Sequence, residues 1–366
     1  MPNIVFKNIT KSYDGINEAV SNLNLEIKDG ELMCILGPSG CGKSSTLRML
    51  AGLESITDGE IFVDDKIINN LPPEDRNIAM VFENFALYPH LDVYNNLAMP
   101  LIAKKLEKKN IKQKVREIAN LLEISEQLTK KPNELSGGQR QRVSLARCLI
   151  KNSKIFLMDE PLGHLEAYLR VLLRTEIRRI HDSEKTTTVY ITHDQEEASS
   201  LSDKIAVMDR GILQQVDTLI NLLDKPTNQF VAEFIGNFPI NLISGSIKFE
   251  KDNFIFSSDE SSKEFIFKKE VNLNEFNNSN YLLGLRPEDF IVKNENSSEK
   301  VKGIIKNIEL IGVECLINLE SEIGNINILT NFDERYRNNE KLLFYPNFDN
   351  LKIFDPKGNN LVKYDE

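Results

Sequence analysis

The chain has 366 residues, 41% of them hydrophobic, with 45 Lys and Arg against 55 Asp and Glu for a formal net charge of −10. At roughly 100–200 residues per domain this predicts two folded domains and excludes a disordered or fibrous chain. The acidity argues against a nucleic-acid binder, which needs clustered Lys and Arg, but leaves room for a local nucleotide site.

No apolar run approaches the roughly 18 residues of a membrane-spanning helix, and residues 1–11 lack the pattern of a signal peptide, so a cytosolic chain is expected. The four cysteines (Cys34, Cys41, Cys148, Cys315) are too scattered for a metal clip or a disulfide framework. The histidines at 90, 164, 181 and 193 show no ligand spacing.

In chain order, Glu31–Leu36 reads as an apolar strand, and the next residues are Gly37-Pro38-Ser39-Gly40-Cys41-Gly42-Lys43-Ser44. They fit G-x-x-x-x-G-K-[ST], and Ser45–Ala51 continues as a helix that Gly52 stops. Strand, glycine loop and helix in that order form a phosphate cradle. Backbone N–H groups turn toward anionic oxygens, Lys43 serves the β- and γ-phosphates, and the Ser44 hydroxyl serves Mg²⁺. The Lys-rich run Lys104–Lys114 reads as a solvated helix face over the apolar Leu106, Ile111 and Val115.

Leu135-Ser136-Gly137-Gly138-Gln139-Arg140-Gln141-Arg142 opens a helix with Ser136 as its N-cap, a second helix start suited to an anion. Lys154–Met158 is apolar enough for a strand buried on both faces, so the carboxylates of Asp159 and Glu160 at its end belong to the sheet's rim. Asp159 is placed as an outer-shell Mg²⁺ ligand and Glu160 as the base for an attacking water. Thr187–Thr192 reads as a strand ending at His193, which would hold the γ-phosphate and the water in line. Lys204–Met208 is a further strand, and the alternation as a whole predicts a parallel sheet covered by helices. After Gly236 short strand-like runs follow one another (Glu264–Lys268, Tyr281–Leu285, Val301–Ile305, Cys315–Leu319, Asn325–Thr330), as in a small all-β barrel or sandwich.

With these residues in hand, the segment 135–142 resembles the signature motif of ABC-type ATPases. The resemblance implies an α/β P-loop cassette over 1–236 with a helical subdomain at about 84–150, and an oligonucleotide-binding-like β domain over 237–366. Tyr13 matches the aromatic residue that stacks on adenine. Val81-Phe82-Glu83-Asn84 matches the loop joining the core to the helical subdomain, with Glu83 at the position of a residue for metal and water. Leu87-Tyr88-Pro89-His90 matches the surface that meets membrane subunits in importers. Leu285-Arg286-Pro287-Glu288-Asp289 resembles a motif of the barrels in sugar and glycerol-phosphate importers.

What the family implies is ATP with Mg²⁺ as cofactor, bound by Tyr13, the loop Gly37–Ser45 and, from the opposing subunit, Ser136, Gly137, Gly138 and Gln139. Metal ligands would be Ser44, Glu83 and Asp159, with catalysis by Glu160, His193 and Glu83. Partners would be a second ATPase subunit, two transmembrane permease subunits at the inner face of the membrane and, indirectly, an extracytoplasmic solute-binding protein. Alternative readings are an importer ATPase for polyamine, iron or sulfate, a non-transport ABC protein, and a regulatory half of a heterodimer. The family pattern is broken at Glu83, where relatives carry Gln, and at Gly163, His164 and Glu166, where they usually carry Ser, Asn and Asp. An ionised Glu accepts but cannot donate and adds charge beside a triphosphate. The departures read either as drift in a working enzyme or as the weaker half of a heterodimer.

Overall fold

In a computed structural model, the structure describes residues 2–82, 84–151, 153–163, 165–250, 253–261, 263–268, 280–292 and 300–362. Glu83 and His164 lie outside the described residues. The chain forms two compact units, Met1–Leu219 and Ile220–Glu366.

The first unit opens with β1 (Ile4–Ser12) and β2 (Glu18–Ile27), followed by β3 (Leu32–Leu36), α1 (Lys43–Ala51), β4 (Asp58–Val63), β5 (Lys66–Ile67) and β6 (Ile78–Val81). Three helices come next, α2 (Val93–Ala103), α3 (Lys108–Leu121) and α4 (Gly137–Ile150). Then β7 (Ile155–Asp159), α5 (Ala167–Glu184), β8 (Thr187–Thr192), α6 (Gln195–Leu201), β9 (Lys204–Asp209) and β10 (Ile212–Asp217) complete it.

Among the described residues the central sheet runs β10-β9-β3-β8-β7-β6. Its neighbours are parallel except for the antiparallel edge strand β10. Strands β3, β7 and β8 are buried at every position, as strands covered on both faces must be. A second, antiparallel sheet orders β2-β1-β4-β5. The expectation of one parallel sheet did not include it. Its strands bend where Asn8 and Asn22 adopt left-handed φ of 51° and 46°, and the pairing of β1 with β2 slips in register there. Those slips break the period-two alternation that would have revealed the strands.

Helix α3 buries Ile111, Val115 and Ala119 and exposes its lysines, as the solvated-face reading requires. The end of α1 is held by Arg76, whose guanidinium donates to the Met49 and Leu50 carbonyls at 2.8 and 2.9 Å, a cation on the negative end of the helix.

The second unit carries α7 (Leu219–Asp224) at its start, then α8 (Gln229–Phe234), β11 (Asn241–Glu250), β12 (Asn253–Ser258), β13 (Glu264–Phe267), β14 (Tyr281–Leu285) and β15 (Phe290–Ile291). It continues with β16 (Val301–Ile311), β17 (Glu314–Ser321), β18 (Gly324–Asn331), β19 (Lys341–Pro346) and β20 (Lys352–Phe354). Two antiparallel sheets, β13-β12-β11-β14-β20 and β15-β19-β16-β17-β18, share one apolar core that includes Phe256, Leu283, Ile317 and Phe344. The contact division falls N-terminal to residue 237 because the connecting helices belong to this unit. Buried Arg286 donates to the carbonyls of Ile235 (2.9 Å) and Leu223 (3.3 Å), and the Asn360 side chain donates to Pro226 O at 2.8 Å.

Candidate nucleotide site

Three neighbouring strands of the central sheet, β3, β8 and β7, end on the same edge, and each delivers a predicted residue directly after its last position. β3 runs into the glycine loop, β8 into His193, and β7 ends on Asp159 with Glu160 next. Ligands of open parallel sheets bind at this carboxyl edge.

The loop after β3 needs its glycines. Gly40 and Gly42 have φ of +80° and +101°, and a Cβ at Gly42 would run into the Ala19 carbonyl. At Gly37 the obstruction would be the Met208 carbonyl on β9. Gly42 is the N-cap of α1 and supplies no side-chain cap, so the first-turn N–H groups are left to other acceptors. Lys43 is buried, and its ammonium donates to Gly37 O and Pro38 O at 2.8 Å each, which curls the loop around the cation. Ser44 Oγ donates to Asp159 Oδ1 at 3.2 Å, so the hydroxyl and the buried carboxylate expected to take Mg²⁺ already face each other. Among the described residues no cluster of three or more His, Cys, Asp or Glu forms a self-sufficient metal cage. An oxygen pair of this kind suits a metal that brings waters and phosphate oxygens with it.

Glu160 sits in the left-handed region at φ 46°, an uncommon and costly conformation for a side chain of its size. Its backbone is pinned on both sides. The N–H donates to Ile191 O of β8 at 3.0 Å, and the carbonyl accepts from Gln141 Nε2 at 3.2 Å and from the Gly163 N–H at 3.4 Å. This turns the carboxylate toward His193, with Oε1 3.3 Å from Nδ1. Behind His193, Asp194 caps α6 by accepting from the N–H groups of Glu196 (2.8 Å) and Glu197 (3.2 Å). Buried Glu197 accepts from the Tyr190 hydroxyl at 2.8 Å, and burial pushes its carboxyl up from the usual range.

Tyr13, just past β1, is exposed. Its ring lies 4.8 Å from the Lys11 ammonium, and its hydroxyl bonds Ser45 Oγ at 2.9 Å and the Glu54 carboxylate. Partial burial first, and Glu54 second, raise the phenol above its ordinary range. The ring therefore stands beside the first turn of α1.

Ser136 caps α4 with a full capping box. Its Oγ accepts from Gln139 N at 3.3 Å, and Gln139 Oε1 accepts from Ser136 N at 3.0 Å. Gly137 follows in open space, with no atom within 4 Å of where a Cβ would stand. After Glu160, a Cβ at Gly163 would meet Glu160 O at 3.7 Å, an ordinary contact, so a serine fits there. Glu166 is the N-cap of α5 but makes no side-chain cap bond.

Three residues of the neighbourhood escaped sequence reasoning. Gln141 was visible in the signature segment, but nothing in its spacing announces a bond to Glu160. Ser144 and Arg147 reach from α4 to the carbonyls of Phe85 and Ala86, contacts that only the tertiary fold creates.

The chain is similar to known proteins. Residues 20–163 match the family model described as ABC transporter. The trehalose/maltose import ATP-binding protein MalK of Thermococcus litoralis is 42% identical over 92% of both chains. The sn-glycerol-3-phosphate import ATP-binding protein UgpC of Rhodopseudomonas palustris is 41% identical over 87% of this chain and 83% of its own. Among solved structures, a dimeric bacterial ABC transporter cassette aligns with a TM-score of 0.56 and 32% identity, covering 59% of this chain and 98% of that one. A dimeric ATP-binding cassette in a post-hydrolysis state with ADP and phosphate gives a TM-score of 0.55 at 31% identity, with the same coverage.

Proposed function

The chain belongs to the ABC transporter family of import ATP-binding proteins, and from that premise we propose that it powers the uptake of a sugar or glycerol phosphate by ATP-driven closure of a dimer. The observation that carries the reading is the convergence of Lys43, Asp159, Glu160 and His193 on one sheet edge, with Ser44 against Asp159 and Glu160 against His193.

In this reading the N–H groups of Gly40–Ser45 and the Lys43 ammonium bind the β- and γ-phosphates. Ser44 and Asp159 would hold Mg²⁺, which would supply charge neutralisation to the triphosphate. Glu160, aimed by its pinned backbone, accepts a proton from the attacking water, and His193 orients that water and the γ-phosphate. Tyr13 supplies the adenine platform. The γ-phosphate is also bound by Ser136, Gly138 and the first turn of α4 from a second subunit, so closure needs nucleotide and hydrolysis releases it.

A cleft of about 520 Å³ bordered by Phe82, Tyr88, Met99, Pro100 and Arg147 suits a helix from one of two permease subunits. That association is what would hold the chain at the inner face of the membrane; among the described residues no helix is long and apolar enough to cross one. Purified chain is expected to hydrolyse MgATP, and Glu160→Gln to bind it with hydrolysis reduced by about 10²–10⁴-fold. Equal turnover in the two proteins would refute the assignment of the base.

A further inference from the structure

We infer that Arg147 is a positioning residue that locks the segment Phe85–Tyr88 to α4, so that a load on the start of α4 is transmitted to the permease-facing cleft. The inference rests on the dimer-closure reading above and adds to it the physical link between two parts of one subunit.

The segment is unusual in its backbone. Phe85 and Ala86 are successive non-glycine residues in the left-handed region, with φ of 64° and 45°. Such pairs persist only where surrounding contacts over-determine them. Two local bonds, Phe85 N to Phe82 O (3.0 Å) and Ala86 N to Asn84 O (2.8 Å), set the turn. From α2, the Asn96 side chain accepts from the Tyr88 N–H at 2.8 Å and donates to the Tyr88 carbonyl at 3.1 Å, while α4 reaches the Phe85 and Ala86 carbonyls. Ser144 Oγ donates to Phe85 O at 2.9 Å, and the Arg147 guanidinium donates to Ala86 O at 2.7 Å and to Phe85 O at 3.3 Å. The same guanidinium lies 5.3 Å from the Tyr88 ring, and that of Arg140 lies 5.8 Å from the Phe85 ring.

One planar fork thus spans two consecutive carbonyls and covers an aromatic ring, a combination that lysine cannot reproduce. Burial lowers the Arg147 pKa, but a guanidinium is not deprotonated in proteins, so the fork is charged. Arg147 also lines the cleft that Tyr88 borders. Between Ser136 and Arg147 runs continuous helix, about 16 Å at 1.5 Å per residue, rigid enough to carry a displacement from its phosphate-binding start. Without the fork, the strained turn loses the bond from α4 to Ala86 O and the cover over the Tyr88 ring, keeps only Ser144 and Arg140 on Phe85, and relaxes more readily against α4.

The test is hydrogen exchange of the full chain carrying Glu160→Gln, with and without MgATP, read at residues 84–90 and 136–140. In this parent MgATP is expected to slow exchange in both segments together. Adding Arg147→Met should preserve the slowing at 136–140 and the MgATP affinity, while 84–90 exchanges at least about tenfold faster and no longer responds to nucleotide. Arg147→Lys should restore part of the response, and Ser144→Ala, which keeps the guanidinium, should weaken it only about threefold, a graded series that decides the matter even where the methionine variant folds poorly. An undiminished nucleotide response at 84–90 in Arg147→Met or Arg147→Lys would overturn the inference. Slowing confined to 136–140 in the parent would overturn it while sparing the closure reading, whereas no slowing at 136–140 would overturn both.

Discussion

Two helices of the first unit begin at the segments proposed to bind phosphate, and they begin differently. α1 starts at Gly42 with no side-chain cap, behind a loop whose cation is already gathered by its own carbonyls. α4 starts at Ser136 with a closed capping box, its hydroxyl and Gln139 satisfying each other's backbone partners. The first leaves its first-turn N–H groups without a side-chain cap, as the proposed binding of an anion on its own subunit requires. The second is stable alone, and an anion must compete with a bond that already exists. That asymmetry suits the proposed two-sided site, in which one half would capture nucleotide and the other would engage only when a loaded partner is presented to it.

The strongest way to break the comparison is at the first helix start. Lys43→Ala removes the buried cation, and turnover is expected to fall by 10²–10³-fold or more in a steady-state ATPase assay. Near-normal activity would refute the cradle. Ser136→Ala acts on the second start. It should cost about 1 kcal/mol in a denaturant melt through the lost cap, and reduce turnover by about 10- to 100-fold while leaving MgATP affinity of the single chain unchanged. A matched loss of nucleotide affinity would place Ser136 in the cis site and erase the distinction.

A third helix start sharpens the contrast. α5 begins at Glu166, whose side chain makes no cap bond although its backbone has N-cap geometry. Glu166→Asp is expected to raise stability by about 0.5–1 kcal/mol, measured as the shift in denaturant midpoint. Asp194 at the start of α6 is the counterpart that already caps. There, Glu197 has a folded pKa raised by burial, so the folded chain holds its proton more tightly than the unfolded chain does. Its contribution to stability is therefore greatest below the unfolded value of about 4.3 and is lost as pH rises through the raised folded value. Melts of Glu197→Gln across that window should lack this component, and identical pH profiles would contradict it.

Much of the site was legible because its pieces are contiguous: the glycine loop is read between a strand and a helix, and Asp159, Glu160 and His193 each directly follow an apolar run. The chain order of strands does not state that β8 lies between β3 and β7, yet that neighbourhood is what joins His193 to Glu160. Gln141, Ser144 and Arg147 were illegible for the same reason, since their partners are backbone atoms distant in sequence, and a carbonyl leaves no residue signal. In the second unit alternation was enough to find β14 with its full range. The strand expected over Val301–Ile305 instead continues to Ile311, because most of its far half is exposed, with Ile308 only partly buried against the core, and the alternation is lost.

The most direct measurement is cross-linking between two singly substituted chains, Ser39→Cys and Gly137→Cys, mixed in a Glu160→Gln background. The native cysteines are all buried, and the replaced residues lie on the glycine loop and the α4 start. The account predicts a covalent dimer that forms with MgATP and not without it. A MgATP-dependent dimer in which these two positions never cross-link would contradict it.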